Sequence, residues 1–286
     1  MLSFFLLWGL LVPSCLSMNR VFLVSFDGFR YDYLDTAKQL GRNISAFENV
    51  IERGFRGRVV PIMPTITFPT HYATVTGRYS QHHGIMSNVF YAPDINATFN
   101  YKNLDNNADS RFWDFNNNEP IWITNQRHDD RTSCTYFWIG SFSTYGGKLP
   151  TKSGPKYNES IPVKDRIDQI IAWMDADDHM TFCALYVNEP DVTGHRYGPN
   201  STQVMDKIEE LNNILQYMID KINASPKLRG VLNLIITSDH GMVYVPEQNK
   251  IPIYDIVRPD EYIPNLSNIY LGLWPKPGRN YFYITH

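Results

Sequence analysis

The chain has 286 residues, of which 43% are hydrophobic and 19% charged, enough apolar material for one large folded domain and not the make-up of a disordered tract. A net charge of -3 gives no general attraction for a nucleic acid polymer, so none is expected as a partner. A small anionic substrate would need local help, such as a metal.

Met1 to Ser17 reads as a signal peptide: an apolar run, Leu2 to Val12, precedes the small-residue stretch Pro13-Ser14-Cys15-Leu16-Ser17. No later run is apolar enough to span a bilayer. N-x-S/T triplets at Asn43, Asn96, Asn158, Asn200 and Asn265 agree with export, so the protein is expected to be secreted or to face the cell exterior.

Val21 to Phe26 is a short apolar run ending in Asp27-Gly28, a buried strand with an acid at its carboxyl end. Ile44 to Arg53 predicts a helix capped by Asn43 or Ser45. After a Pro-punctuated stretch, Thr70 to Thr76 predicts a second helix, with Pro69 in its first turn and Gly77 as its stop. Asn88 to Tyr157, rich in Asn, Asp, Gly and aromatics, reads as long loops with short elements at Pro120–Thr124 and Tyr136–Ile139. Lys164 to Met174 and Gln203 to Ile222 have helical periodicity. Thr181 to Val187 and Val231 to Thr237 are further buried strands, ending in Glu189-Pro190-Asp191 and Asp239-His240-Gly241. Apolar strands alternating with helices predict an α/β fold with a mainly parallel sheet covered on both faces. Ligands of such sheets bind at the carboxyl ends of strands. Of the cysteines beyond residue 17, Cys134 and Cys183, either a disulfide or free buried thiols would fit.

Three strand ends therefore deliver Asp27, Asp191, Asp239 and His240, and His195 lies four residues after Asp191. A helical turn would aim Asp191 and His195 at one point. Oxygen and nitrogen ligands of this kind suit zinc, and five of them suit two metals better than one. Each alone reads as readily as a turn, cap or solvated residue; their coincidence in one sheet carries the argument. Thr65 and Thr67 both stand where a hydroxyl could be activated as a nucleophile or could cap the next helix. Asn88 could donate an amide to a phosphate oxygen.

At these residues the chain resembles the nucleotide pyrophosphatase/phosphodiesterase family. The matching stretches are VFLVSFDGFRYDYL, PTITFPTHYATVTGRYSQHHGIMSN, YNESIPVKDRI, NEPDVTGHRYGP and LIITSDHGM, in that order, and EPIWITNQ is most similar to the fourth and fifth vertebrate members. The resemblance implies an alkaline-phosphatase-like α/β fold and a phosphodiesterase catalytic domain over residues 18–286. It implies two Zn2+, one on Asp27, Thr67, Asp239 and His240, the other on Asp191, His195 and a further histidine. It selects Thr67 over Thr65 as nucleophile, makes Asn88 the phosphate-oxygen donor, and places a substrate base between Phe68 and Tyr157. The expected activity is hydrolysis of phosphodiester or pyrophosphate bonds in extracellular nucleotides through a phosphoryl-threonine, releasing a nucleoside monophosphate. The small-molecule substrate of the nearest rival reading is a choline lipid. The family's last histidine belongs to a Gly-x-His-Gly motif, which this sequence does not contain; His286 does not fit it. The expectation is thus a domain truncated at its carboxyl end, and a non-catalytic secreted homologue is the third reading.

Overall fold

The computed structural model describes residues 19–252, 256, 258, 260–265, 272–276 and 278. The expected signal peptide, His286 and most of the Asn265 triplet lie outside these residues. In chain order the elements are β1 (Arg20–Phe26), α1 (Tyr33–Gln39), α2 (Ser45–Arg53), α3 (Thr67–Thr76), α4 (Ser80–His83), β2 (Val89–Ala92), β3 (Ala97–Asn100), α5 (Ser110–Trp113), α6 (Ile121–Asn125), β4 (Thr132–Tyr136), β5 (Lys152–Ser153), α7 (Val163–Ala176), β6 (Met180–Val187), α8 (Asp191–Tyr197), α9 (Thr202–Ala224), β7 (Leu232–Thr237), β8 (Tyr262–Asn265) and β9 (Gly272–Pro275).

Five strands form one parallel sheet in the order β5-β4-β6-β1-β7. β6 is buried at every one of its positions, so both faces of the sheet are covered there. Helices α6 and α7 pack on β4 and β6, and α9 gathers α1, α2, α7 and α8. β7 has a single strand neighbour among the described residues, and its Ile235 is 48% exposed. Register fixes what meets at the carboxyl edge. Ser25 pairs with Thr237 and Phe26 with Val187, which brings Asp27 level with Asp239 on one side and with the turn before Asp191 on the other.

The expected strands and long helices are present, with boundaries moved by one or two residues. The stretch read as long loops differs most. It holds the β2–β3 hairpin, helices α5 and α6, and two strands of the main sheet. The short element placed at Tyr136–Ile139 ends at Tyr136, because Phe137 takes a φ of 61° and turns the chain. Neither Asn43 nor Ser45 caps α2 as expected. Ile44 occupies the cap position, while Asn43 Oδ1 accepts the Ser45 N–H in a local turn. Helix α3 begins three residues before the expected start, and Gly77 ends it with a φ of 66°. Cys134 and Cys183 are register partners on β4 and β6 and form a disulfide. Among the described residues no helix is long and apolar enough to cross a membrane.

One buried histidine makes the fold sensitive to acid. His83 donates its Nε2–H to the Pro69 carbonyl (3.2 Å) and accepts the Ile85 N–H at Nδ1 (3.1 Å), so the neutral ring satisfies both partners. Burial pushes its pKa down to about 4 from an ordinary 6.5. Between those values the unfolded chain binds the proton and the folded chain does not. The stabilisation is therefore complete above the ordinary value and is lost as pH falls towards 4. Comparing melting temperatures at pH 7 and 5, the parent should lose more than His83→Gln; parallel losses would contradict a histidine held neutral.

Candidate active site

Asp27 follows β1 directly. Its Oδ2 accepts the Tyr186 hydroxyl (2.6 Å), while its Oδ1 is buried with no hydrogen-bond partner. Asp239 lies two residues beyond β7. Its Oδ1 accepts main-chain N–H groups from Gly28 (3.0 Å) and His240 (2.9 Å), and its Oδ2 is buried and unpartnered. Asp191 opens α8. Its N–H donates to the Asp27 carbonyl (3.0 Å), which ties two strand ends together, and its Oδ1 is the third buried oxygen without a partner. The approach of Asp191 to the β1 turn requires Gly28: a Cβ there would lie 2.9 Å from Asp191 Cα, and the backbone φ is +69°.

His240 donates its Nδ1–H to the Gly241 carbonyl (2.9 Å), which leaves the Nε2 lone pair for the cluster. That nitrogen is 3.2 Å from Asp239 Oδ2, 3.5 Å from Asp27 Oδ1 and 3.4 Å from Thr67 Oγ1. Ligand atoms of Asp27, Asp239 and His240 all lie within 4.8 Å of one another. Asp191 and His195 form a separate pair on successive turns of α8, with Oδ1 and Nε2 3.4 Å apart. Among the described residues this pair gains no third ligand.

The buried acids repel one another. Burial, then the neighbouring Asp239 charge, pushes Asp27 up to about 7. Burial also raises Asp239, and burial with the Asp27 charge raises Asp191. Burial opposes a charge on His240, but Asp239 and Asp27 outweigh it and hold its pKa above the ordinary value. Buried polar atoms are nearly always satisfied in folded proteins, and three buried carboxylate oxygens that accept no hydrogen bond, each facing only histidine nitrogens 3.2–3.5 Å away, are a costly exception. A divalent cation bound among them would remove that cost. Oxygen and imidazole donors of this kind fit zinc.

Thr67 is the first residue of α3. Ile66 occupies the cap position, so neither threonine caps the helix. The Thr65 hydroxyl donates to the Ile62 carbonyl (3.0 Å), whereas Thr67 Oγ1 faces His240. Asn88 Oδ1 accepts the Phe68 N–H (2.9 Å), which fixes the amide on the first turn of α3 and leaves its NH2 as the remaining donor. Phe68 packs against Phe99, Tyr101 and Trp113; Tyr157 packs against Phe137 and Tyr186. The two rings stand in separate groups, without contact between them.

Two supporting residues escaped the sequence analysis. Tyr186 orients Asp27. His71, one turn after Thr67, donates its Nδ1–H to the Thr67 carbonyl (2.9 Å) and accepts the Ser25 hydroxyl at Nε2 (2.8 Å), bracing the start of α3 against β1. Burial holds its pKa down to about 4, so the ring is neutral. The i, i+4 spacing from Thr67 was the available signal for His71. For Tyr186, within an apolar strand, there was none.

A family model described as type I phosphodiesterase/nucleotide pyrophosphatase matches residues 21–285. Human ectonucleotide pyrophosphatase/phosphodiesterase family member 5 is 35% identical over 262 residues, covering 91% of this chain and 53% of that protein. Mouse bis(5'-adenosyl)-triphosphatase is 33% identical over 268 residues, covering 90% and 56%. The chain thus spans about half the length of these relatives. Among solved structures, an inactive threonine-to-alanine variant of murine family member 5 in complex with AMP aligns with a TM-score of 0.81 at 34% identity, covering 91% of this chain and 67% of that one.

Proposed function

Given that the chain belongs to the type I phosphodiesterase/nucleotide pyrophosphatase family, we propose that it hydrolyses phosphodiester or pyrophosphate bonds of extracellular nucleotides and releases a nucleoside monophosphate. One observation carries the reading. Three buried carboxylate oxygens that accept no hydrogen bond gather at the carboxyl edge of the sheet, and the Thr67 hydroxyl faces the histidine that two of them share.

In the proposed site Asp27, Asp239 and His240, with Thr67, would hold one Zn2+, and Asp191 with His195 would contribute to a second. Such ions would lower the pKa of the threonine hydroxyl and offset the charge that builds on the phosphate oxygens. Thr67 Oγ attacks phosphorus in line with the leaving oxygen. A phosphoryl-threonine forms as the leaving-group bond breaks, and water then cleaves the threonine ester. The Asn88 NH2 donates to a phosphate oxygen, and the N-terminal end of α3, where Thr67 sits, favours the anion. Phe68 and Tyr157 supply ring faces for the base. His71 and Tyr186 keep Thr67 and Asp27 in place without touching the substrate.

Extracellular location belongs to the same proposal. A buried disulfide suits an oxidising compartment, and Asn43, Asn96, Asn158 and Asn200 are exposed, as glycan acceptors must be.

The substrate class is tested by incubating the zinc-loaded chain with ATP, diadenosine triphosphate and lysophosphatidylcholine. Adenosine monophosphate should appear from both nucleotides at rates at least about tenfold above phosphocholine release, the margin expected of one base-stacking contact. Faster release of phosphocholine would make a choline-lipid phosphodiesterase the better reading.

A further inference from the structure

The segment around Tyr157 is held by a device that the chemistry above does not use. Arg166, on α7, is 1% exposed. Its Nε donates to the Ile161 carbonyl (2.9 Å), one terminal nitrogen to the Glu159 carbonyl (3.3 Å), and the other to the Tyr186 carbonyl on β6 (3.4 Å). The guanidinium also lies over the Phe137 ring, 4.8 Å from its centroid. Phe137 in turn meets the Tyr157 ring edge-on at 5.0 Å. One buried cation thus joins three things: the main chain just after Tyr157, the ring against which Tyr157 packs, and the strand bearing Tyr186.

Burying a charge is expensive, and an apolar side chain of similar volume would fill the same space at less cost. Phe137 adds a second oddity: a bulky residue at a φ of 61°, a conformation that costs about 1–3 kcal/mol unless its surroundings enforce it. Both features lie next to Tyr157, whose ring meets Phe137 and Tyr186 while the residue as a whole remains 37% exposed. Two costly features beside a half-open ring make sense if the ring must stand still.

We infer that Arg166 is a positioning residue that holds Tyr157 as a fixed wall of the substrate site and so sets the affinity for substrates carrying a base. The inference rests on the reading of Tyr157 as a base-stacking ring. Arg166 acts only through that ring and leaves the reacting atoms alone. Lysine cannot replace it, because a compact ammonium can neither reach three diverging carbonyls nor lie flat on Phe137.

The test compares two esters: p-nitrophenyl thymidine monophosphate, which carries a base, and methyl p-nitrophenyl phosphate, which does not. Arg166→Lys should raise KM for the first about tenfold, the value of a lost base–aromatic stack, with kcat within about twofold and the second ester unaffected. Tyr157→Ala should raise the same KM, and adding Arg166→Lys to it should change nothing further. Equal losses on both esters, additive losses in the double variant, or an unchanged KM would overturn the positioning role. Calorimetric titration with AMP and with inorganic phosphate decides the matter without turnover. Arg166→Lys should weaken AMP about tenfold and phosphate not at all. Parent chain that binds AMP but cleaves neither ester would refute the hydrolytic reading alone; parent chain that does not bind AMP would refute the inference.

Discussion

Thr67→Ala is expected to lower phosphodiester hydrolysis by about 10^4-fold or more, the scale seen when an enzyme loses its nucleophile but keeps its charge-stabilising groups. The same change should leave the fold almost untouched. Thr67 does not cap α3, its hydroxyl makes one long contact to His240, and alanine suits a first helical turn at least as well. Its effect on stability should stay within about 0.5 kcal/mol, as for other substitutions that remove no buried partner. Thr67→Ser, which keeps the oxygen, should keep measurable turnover. Rates within tenfold of the parent in Thr67→Ala, measured on p-nitrophenyl thymidine monophosphate with metal content checked, would remove Thr67 from the chemistry.

Stripping metal with a chelator should lower the melting temperature by on the order of 10 °C, and adding Zn2+ should restore it. A cation held about a thousandfold above its dissociation constant contributes about 4 kcal/mol, and each kcal/mol shifts a chain of this size by about 2–4 °C. The sign of the pH dependence gives a sharper test. Asp27 has a folded pKa of about 7 against an ordinary 3.8. Between those values the metal-free folded chain keeps a proton that the unfolded chain has released, so stability falls as pH rises through the window. Asp27→Asn removes that fall. It should make the stripped protein more stable than the parent at pH 8, by taking one charge from the cluster, and should abolish the zinc-induced rise in melting temperature. A stripped parent that is as stable at pH 8 as Asp27→Asn, or an asparagine variant that still responds to zinc, would mean that the carboxylates do not form a cation site.

Much of this arrangement was legible from residue order. Apolar runs mark β1, β6 and β7, each followed by an acid, and a parallel sheet brings such ends to one edge. The i, i+4 spacing of Asp191 and His195 became successive turns of α8. What escaped was polar but buried. β4 reads Thr132-Ser133-Cys134-Thr135-Tyr136, which has no apolar period, yet Ser133, Cys134 and Thr135 are fully buried. Ser133 Oγ donates to the Trp122 carbonyl, and Asn125 Nδ2 donates to Ser133 Oγ; such bonds let a polar strand enter a core and carry no mark in the sequence. The clamp of Arg166 was hidden for the same reason, because its partners are main-chain carbonyls that any residue type could supply. That the Thr65 hydroxyl donates to the Ile62 carbonyl likewise carries no mark in the sequence.

β7 hangs from the sheet by β1 alone among the described residues, and the very next turn carries Asp239 and His240. Among the described residues no strand closes its outer row of amides, and local opening that starts at such a rim would reach two of the three clustered ligands before it disturbs the interior. For an ion held there, grip on it and cohesion of the rim would be a single equilibrium: fraying would shed the ion, and an occupied cluster would lace β7 to β1 through Asp27.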